Sequence, residues 1–188
     1  MQADIEQVLI DRHAIAARVR ELAEQIASDL GPAMDQADQH ITLVPILTGS
    51  IIFVSDLIRH MPMRMQIKVI SVTSYPGKAT ASRGASLEAS LTKLPASLEG
   101  RHVLVVDDIL DSGHTLSHVR DIIEQRQPAS YRSCVLLRKQ RPQALNTAND
   151  YVAFDIPDAF VVGYGLDYDD YYRNLPDICT LRREVYQR

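Results

Sequence analysis

The segment VLVVDDILDSGHTL, residues 103–116, sets four apolar residues before three aspartates within five positions and then a run of small polar residues. Adjacent carboxylates repel: two like charges about 4 Å apart cost about 4 kcal/mol at an effective dielectric of ~20, so Asp107 and Asp108 favour a cation or hydroxyl donors. Magnesium or a sugar diol meets that need. Further along, Asp111, Ser112, Gly113, His114 and Thr115 combine backbone N–H groups, hydroxyls and a flexible glycine at a predicted helix N-terminus. That combination cradles a phosphate dianion. In chain order the segment offers groups for a diol, then a base, then a phosphate, and a sugar phosphate fits all three parts.

Two other readings account for some of the same residues. A strand-to-helix turn with Asp and Ser is most often a solvated turn and helix cap, and an isolated pair of aspartates would be read that way. A phosphoacceptor receiver or a phosphatase-like aspartate nucleophile also gathers carboxylates around magnesium at strand ends. Those sites usually draw their carboxylates from separate strands, whereas these share one loop.

The flanking elements must position this segment. Asp11 can cap a helix whose apolar positions Ile15, Val19, Leu22, Ile26 and Leu30 recur at spacings of four and three, with Gly31 as its stop. TLVPILT (42–48) reads as a buried strand that passes through Gly49 and Ser50 into the helix IIFVSDLIRHM, and MQIKVISVTSY (65–75) as a second strand. PGKATASRGAS (76–86) is polar, rich in small residues and too long for a tight turn, which suits a lid loop. HVLVV (102–106) is the next buried strand, with Asp107 and Asp108 emerging from its carboxyl end. Thr115 to Gln125 is a helix and YRSCVLL (131–137) a further strand. This alternation predicts an α/β fold, a mainly parallel sheet with helices on both faces, in which ligands bind beyond the carboxyl ends of the strands. From Tyr151 the chain breaks into short segments, YVAFDIPD, FVVGYGLDYDDYY and ICTLRR, which read as a small hood of strands and loops beside the sheet.

Composition bounds the function. At 188 residues with 46% hydrophobic residues the chain suits one domain with a substantial core, here 1–188. With 20 basic against 24 acidic residues it has no global basic field for nucleic acid, so no nucleic-acid partner is expected. The longest apolar runs are far shorter than a membrane span and MQADIEQ lacks a signal-peptide pattern, so no membrane partner and a cytoplasmic location are expected. Cys134 and Cys179 lack metal-ligand spacing and read as buried free thiols.

The whole of VVDDILDSGHTL resembles the loop that binds 5-phosphoribosyl pyrophosphate (PRPP) in the type I phosphoribosyltransferases. The motif is an apolar strand, two acids, two apolar residues, Asp, a small polar residue, Gly, any residue and Thr. LTGS, the Ser-Tyr before the polar loop, LLRK and DIPDAFVVGYGLDYDDYYRNLP are similar to the hypoxanthine-guanine branch, so the resemblance spans nearly the entire chain. It implies the type I phosphoribosyltransferase fold, with a hood formed by the N-terminal segment and residues around 151–188. It implies purine salvage with magnesium: transfer of the ribosyl 5-phosphate from PRPP to N9 of hypoxanthine, with guanine as a further substrate, through a transition state with oxocarbenium character. It also implies a homodimer or homotetramer. A xanthine-preferring relative remains a rival, as does a PRPP-fold regulator that binds nucleotide or RNA; the latter predicts a basic face.

Carried over residue by residue, the resemblance assigns Asp107 and Asp108 to the ribose hydroxyls, directly or through magnesium, with Asp107 where relatives often carry Glu. Asp111 manages the purine proton near N7, and Ser112, Gly113, His114 and Thr115 bind the 5-phosphate. Thr48 and Gly49 meet the pyrophosphate, often through a non-proline cis peptide. Many relatives have Lys in place of Thr48, and Arg173 supplies part of the missing charge. Lys139 donates to the purine's exocyclic oxygen, which suits a 6-oxo group better than adenine's amino group. Phe160 stacks on the purine, the Val161 backbone reads its edge, and Asp167, grouped with these purine-side residues, binds a second magnesium or the metal shell of the pyrophosphate. Ser74 and Tyr75 open the lid that excludes water.

Overall fold

The apolar runs of the middle chain become neighbouring strands in a computed structural model that describes residues 1–34, 40–74, 87–90 and 94–186. In chain order the elements are β1 (Ile5–Ile10), α1 (Arg12–Met34), β2 (Ile41–Leu47), α2 (Ile51–Ile58), β3 (Met65–Ile67), β4 (Ile70–Ser74) and β5 (Leu87–Ser90). There follow β6 (His102–Leu110), α3 (His114–Glu124), β7 (Ser130–Lys139), α4 (Pro142–Leu145), β8 (Tyr151–Ile156), β9 (Val161–Val162), β10 (Ile178–Leu181) and α5 (Arg183–Tyr186). The main sheet runs β5-β4-β2-β6-β7-β8, with β3 also on β2, and every pairing is parallel except β4 with β5.

Burial on both faces explains why the central strands are continuously apolar. Along β6, Leu104 and Val106 pack with Leu22 and Ile26 of α1 and Phe53 and Leu57 of α2. Val103 and Val105 point the other way, to Leu116, Val119 and Ile123 of α3. Each such side chain contributes roughly 1.5–3 kcal/mol on burial, and their alternation holds β6 in register.

Asp11 caps α1 as expected, accepting from the N–H groups of His13 at 2.8 Å and Ala14 at 3.0 Å. The helix does not stop at Gly31. It continues through Pro32 to Met34, and Gly31 stays out of the left-handed conformation that ends helices at glycine. The strand expected over 65–75 is interrupted: β3 and β4 both follow β2, and Ile41 faces Met65 with the same offset by which Ile46 faces Ile70. Tyr75 and the polar loop 76–86 lie outside the described residues.

Two further differences bear on function. β6 does not end at Val106 but carries both aspartates on to Leu110, because β7 extends to Lys139 and supplies pairing partners, Val135 for Asp107 and Arg138 for Leu110. Tyr151–Ile156 is not hood: β8 pairs with β7 and forms an edge of the main sheet. The hood sheet is β1-β10-β9, antiparallel, so the first strand of the chain and the last two form one small layer. Val162, Cys179 and Leu181 form its core. Cys134 and Cys179 are both buried free thiols.

Candidate active site

A cavity of about 250 Å³ opens at the carboxyl ends of β2 and β6, lined by Thr48, Gly49, Asp107, Asp108, Asp111, Ser112, Gly113 and Thr115 among others. These are the ends at which a parallel sheet leaves a crevice. His114 is the exception among the motif residues: it is the exposed first residue of α3 and does not line the cavity.

Asp107 is 6% exposed, Asp108 is half-buried, and neither makes a salt bridge among the described residues. Each carboxylate accepts from the next backbone N–H, Asp107 from Asp108 and Asp108 from Ile109, both at 3.0 Å. Burial and then the neighbouring Asp108 charge push the Asp107 carboxyl well above the usual range. Burial also raises Asp108, against hydrogen bonds that lower it. A buried and a half-buried acid, both of raised proton affinity, are a donor set for a divalent cation or for sugar hydroxyls, either of which relieves the repulsion. Among the described residues no three His, Cys, Asp or Glu side chains converge on one point.

Asp111 does not cap α3. Its two oxygens are taken by Lys139 Nζ, at 3.0 Å, and by the guanidinium of Arg141. Burial pushes its carboxyl up, but Lys139 and Arg141 together overcome this and hold it below the usual carboxylate range. Lys139 is 12% exposed and also meets Asp158 at 3.3 Å. Arg138, the competing cation in LLRK, turns away and makes a two-pronged pair with Asp155 at 2.7 and 3.0 Å. The period-two alternation of β7 thus sends one cation to the cavity side and the other to the cross-strand carboxylate.

Gly113 precedes α3 in the left-handed conformation at φ 78°, and a Cβ there would lie 1.9 Å from Oγ1 of Thr147. The turn therefore requires glycine on both conformational and steric grounds. The peptide between Leu47 and Thr48 is cis, as expected for this loop. A Cβ on Gly49 would lie 1.7 Å from Oδ2 of Asp108, so the loop closes directly on that carboxylate.

The hood reaches the same loop. Gly165, at φ 104°, packs against the Gly49 carbonyl oxygen, which a Cβ would approach to 2.2 Å. Arg173 donates to the Gly165 carbonyl at 3.0 Å, pairs with Asp167 at 2.8 Å and with Asp170 at 3.0 Å. Asp167 also accepts from the Asp170 N–H at 2.9 Å. Neither Arg173 nor Asp167 lines the cavity. Phe160 is 41% exposed, edge-on to Tyr168 at 5.6 Å and stacked with Tyr186 at 5.4 Å, while Val161 is buried in β9. Ser74 ends β4, its backbone paired with Leu87.

Arg141, Asp158, Thr147 and Tyr186 escaped the sequence reading. Arg141 stands two residues beyond a strand end, where a cation is ordinarily solvated, and Asp158 lay inside IPDAF with nothing local to mark it.

The chain matches the phosphoribosyl transferase domain family over residues 7–169. It is 44% identical to the hypoxanthine-guanine phosphoribosyltransferase of Mycobacterium bovis over 184 residues, 98% of this chain and 90% of that one. It is 38% identical to the enzyme of the same name from Bacillus subtilis over 188 residues, 100% of this chain and 99% of that one. Among solved structures it is similar to the Trypanosoma cruzi hypoxanthine phosphoribosyltransferase in complex with the product IMP. There the TM-score is 0.85 at 37% identity, covering 97% of each chain.

Proposed function

This chain belongs to the phosphoribosyltransferase family, among the hypoxanthine-guanine phosphoribosyltransferases, and we propose that it transfers the 5-phosphoribosyl group of PRPP to N9 of hypoxanthine and guanine, giving IMP, GMP and pyrophosphate. It is a pentosyltransferase of purine salvage. The observation that carries the choice of base is the contact between Lys139 and Asp111, the second of which lines the cavity. It sets a donor beside an acceptor, the complement of a 6-oxopurine's O6 and N7–H edge.

In this reading Asp107 and Asp108 would hold the ribose hydroxyls and magnesium, Asp167 would hold a second magnesium or the metal shell of the pyrophosphate, and Arg173 would meet the pyrophosphate. Magnesium supplies charge neutralisation for the departing pyrophosphate. Ser112, Gly113, Thr115 and the backbone of His114 take the 5-phosphate at the start of α3. Thr48 and Gly49 meet the pyrophosphate, Thr48 through its hydroxyl or N–H. Phe160 and the Val161 backbone hold the base, and Ser74 and Tyr75 open the closing loop. Against burial, Lys139 and Arg141 lower the proton affinity of Asp111, and a carboxylate so held suits accepting a hydrogen bond from N7–H while N9 attacks the sugar.

One globular domain spanning 1–188 is consistent with this assignment. A homodimer or homotetramer is proposed from the family likeness, and light scattering at twice or four times the chain mass is the check. No helix of the described residues is long and apolar enough to cross a membrane. The decisive experiment is pyrophosphate release from PRPP and magnesium with hypoxanthine, guanine, xanthine and adenine in parallel. Release with the first two is expected; preference for xanthine, or release with none, would overturn the assignment.

A further inference from the structure

Four charges at and just beyond the ends of β6, β7 and β8 form a closed alternation. Lys139 meets Asp111 at 3.0 Å and Asp158 at 3.3 Å, and Arg141 pairs directly with Asp111 and lies 3.8 Å from Asp158. Each cation therefore touches both anions. Here the donor and the acceptor that a 6-oxopurine requires satisfy one another. A base that uses both must come between them. Pulling apart a part-buried ammonium and carboxylate is costly when it strands either charge, and far less so when each retains another counter-ion.

Resting on the function proposed above, we infer that Arg141 and Asp158 are positioning residues of the base subsite. The purine displaces the contact between Lys139 and Asp111, after which Arg141 holds the Asp111 carboxylate and Asp158 holds the Lys139 ammonium.

Three observations carry this assignment. Lys139, 12% exposed, cannot satisfy its charge by swinging into water, so a second carboxylate must meet it in place. That carboxylate is set by sheet register: Ile156 faces Lys139 across β7 and β8, and Asp158 follows two residues later. Finally, the Nε–H of Arg141 is buried and has no acceptor. An orphaned buried donor is costly. A guanidinium closing its fork on Asp111, as Lys139 turns to the base, would satisfy it.

The test uses the full chain with Arg141→Gln, Arg141→Lys and Asp158→Asn, following pyrophosphate release while hypoxanthine and PRPP are varied separately across pH. Arg141→Gln is expected to lower kcat/KM for hypoxanthine by about 10-fold or more and to leave KM for PRPP within about twofold. It should also move the acid limb of kcat/KM to higher pH. The described charged groups facing Asp111 are Lys139, Arg141 and, beyond them, Asp158. Loss of the guanidinium removes one of two cations that depress the Asp111 carboxyl, so protonation begins sooner as pH falls. Arg141→Lys, which keeps the charge, should restore most of the loss and the original limb. Asp158→Asn is expected to raise KM for hypoxanthine by about 10-fold with a smaller change in kcat.

Equal losses for hypoxanthine and PRPP, or an unmoved acid limb in Arg141→Gln, overturn the inference and make the outer pair structural. An active wild type with that pattern removes the inference alone. A wild type releasing no pyrophosphate with any 6-oxopurine removes the underlying function and the inference with it. Should Arg141→Gln fail to fold, Arg141→Lys and Asp158→Asn decide by the same split between the two substrates.

Discussion

Lys139 donates to Oδ2 of Asp111 across 3.0 Å, joining the last residue of β7 to the turn that follows β6. With Arg141 it outweighs burial and keeps the Asp111 carboxyl below its ordinary range. A depressed folded-state value contributes stability that is present above the unfolded value and lost as pH falls through the folded one. Because Asp111 is 42% exposed, solvent screens the effect. Asp111→Asn is therefore expected to lower Tm by roughly 1–3 °C at neutral pH and to converge with the wild type once the pH falls below the lowered Asp111 value. Thermal melts of both proteins across pH measure this; a constant gap at every pH would contradict it.

The same substitution separates catalysis from binding. An asparagine keeps the size of the side chain but loses the charge that manages the purine proton. Turnover should fall by about 100-fold, with KM for PRPP changed only a few-fold. Equal losses in both, or no loss, would leave Asp111 with a purely structural role.

Burial and the neighbouring Asp108 charge raise the proton affinity of Asp107, so ionising it costs stability. Asp107→Asn should therefore stabilise the ligand-free protein, raising Tm by about 2–4 °C, while retaining an oxygen to accept the Asp108 N–H. It should also weaken magnesium-dependent PRPP binding, so that magnesium and PRPP raise the variant's Tm less than the wild type's. Calorimetric scans with and without the pair of ligands distinguish the two effects. A lower Tm in the ligand-free variant would show that the carboxylate is stabilising instead.

At the junction of hood and sheet, Gly165→Ala and Gly49→Ala should differ. An alanine at 165 must adopt φ 104° and meets the Gly49 carbonyl, which is backbone and cannot step aside. About 2–4 kcal/mol of stability should be lost in denaturant unfolding. At Gly49 the obstacle is the Asp108 carboxylate, a side chain that can turn. There the expected loss is mainly in PRPP affinity, about 10-fold or more. Similar unfolding midpoints for the two variants would contradict this distinction.

Thr48 lines the cavity as a neutral, exposed residue. Thr48→Lys places an ammonium beside the proposed pyrophosphate subsite. Pyrophosphate should then inhibit more strongly, by about 3- to 10-fold in its inhibition constant, with the change shrinking at high salt. An unchanged constant would place the pyrophosphate elsewhere.

Much of this site was legible in a single window. Asp107 to Thr115 follow one another within nine residues, and their chemistry survives whether Asp107 ends a strand or lies inside one. Asp11 likewise announced the start of α1, because a cap acts on the N–H groups two and three residues away. Gly31 misled because glycine permits the left-handed stop without requiring it.

The chain by itself determined the local parts: alternating strands and helices, the order of diol, base and phosphate groups, and the glycine turn before α3. Tertiary structure alone decided that β6 continues through its aspartates, that Tyr151–Ile156 joins the main sheet, and that Arg138 turns to Asp155 while Lys139 turns to Asp111. It also gathered Arg141 and Asp158 around that pair. The physical reason is that strand ends and side-chain partners are set by the ladder alongside. A carboxylate or cation at a strand end takes its counter-charge from whichever neighbour register brings within a few ångströms, and register depends on two buried faces assembled from distant segments of the chain.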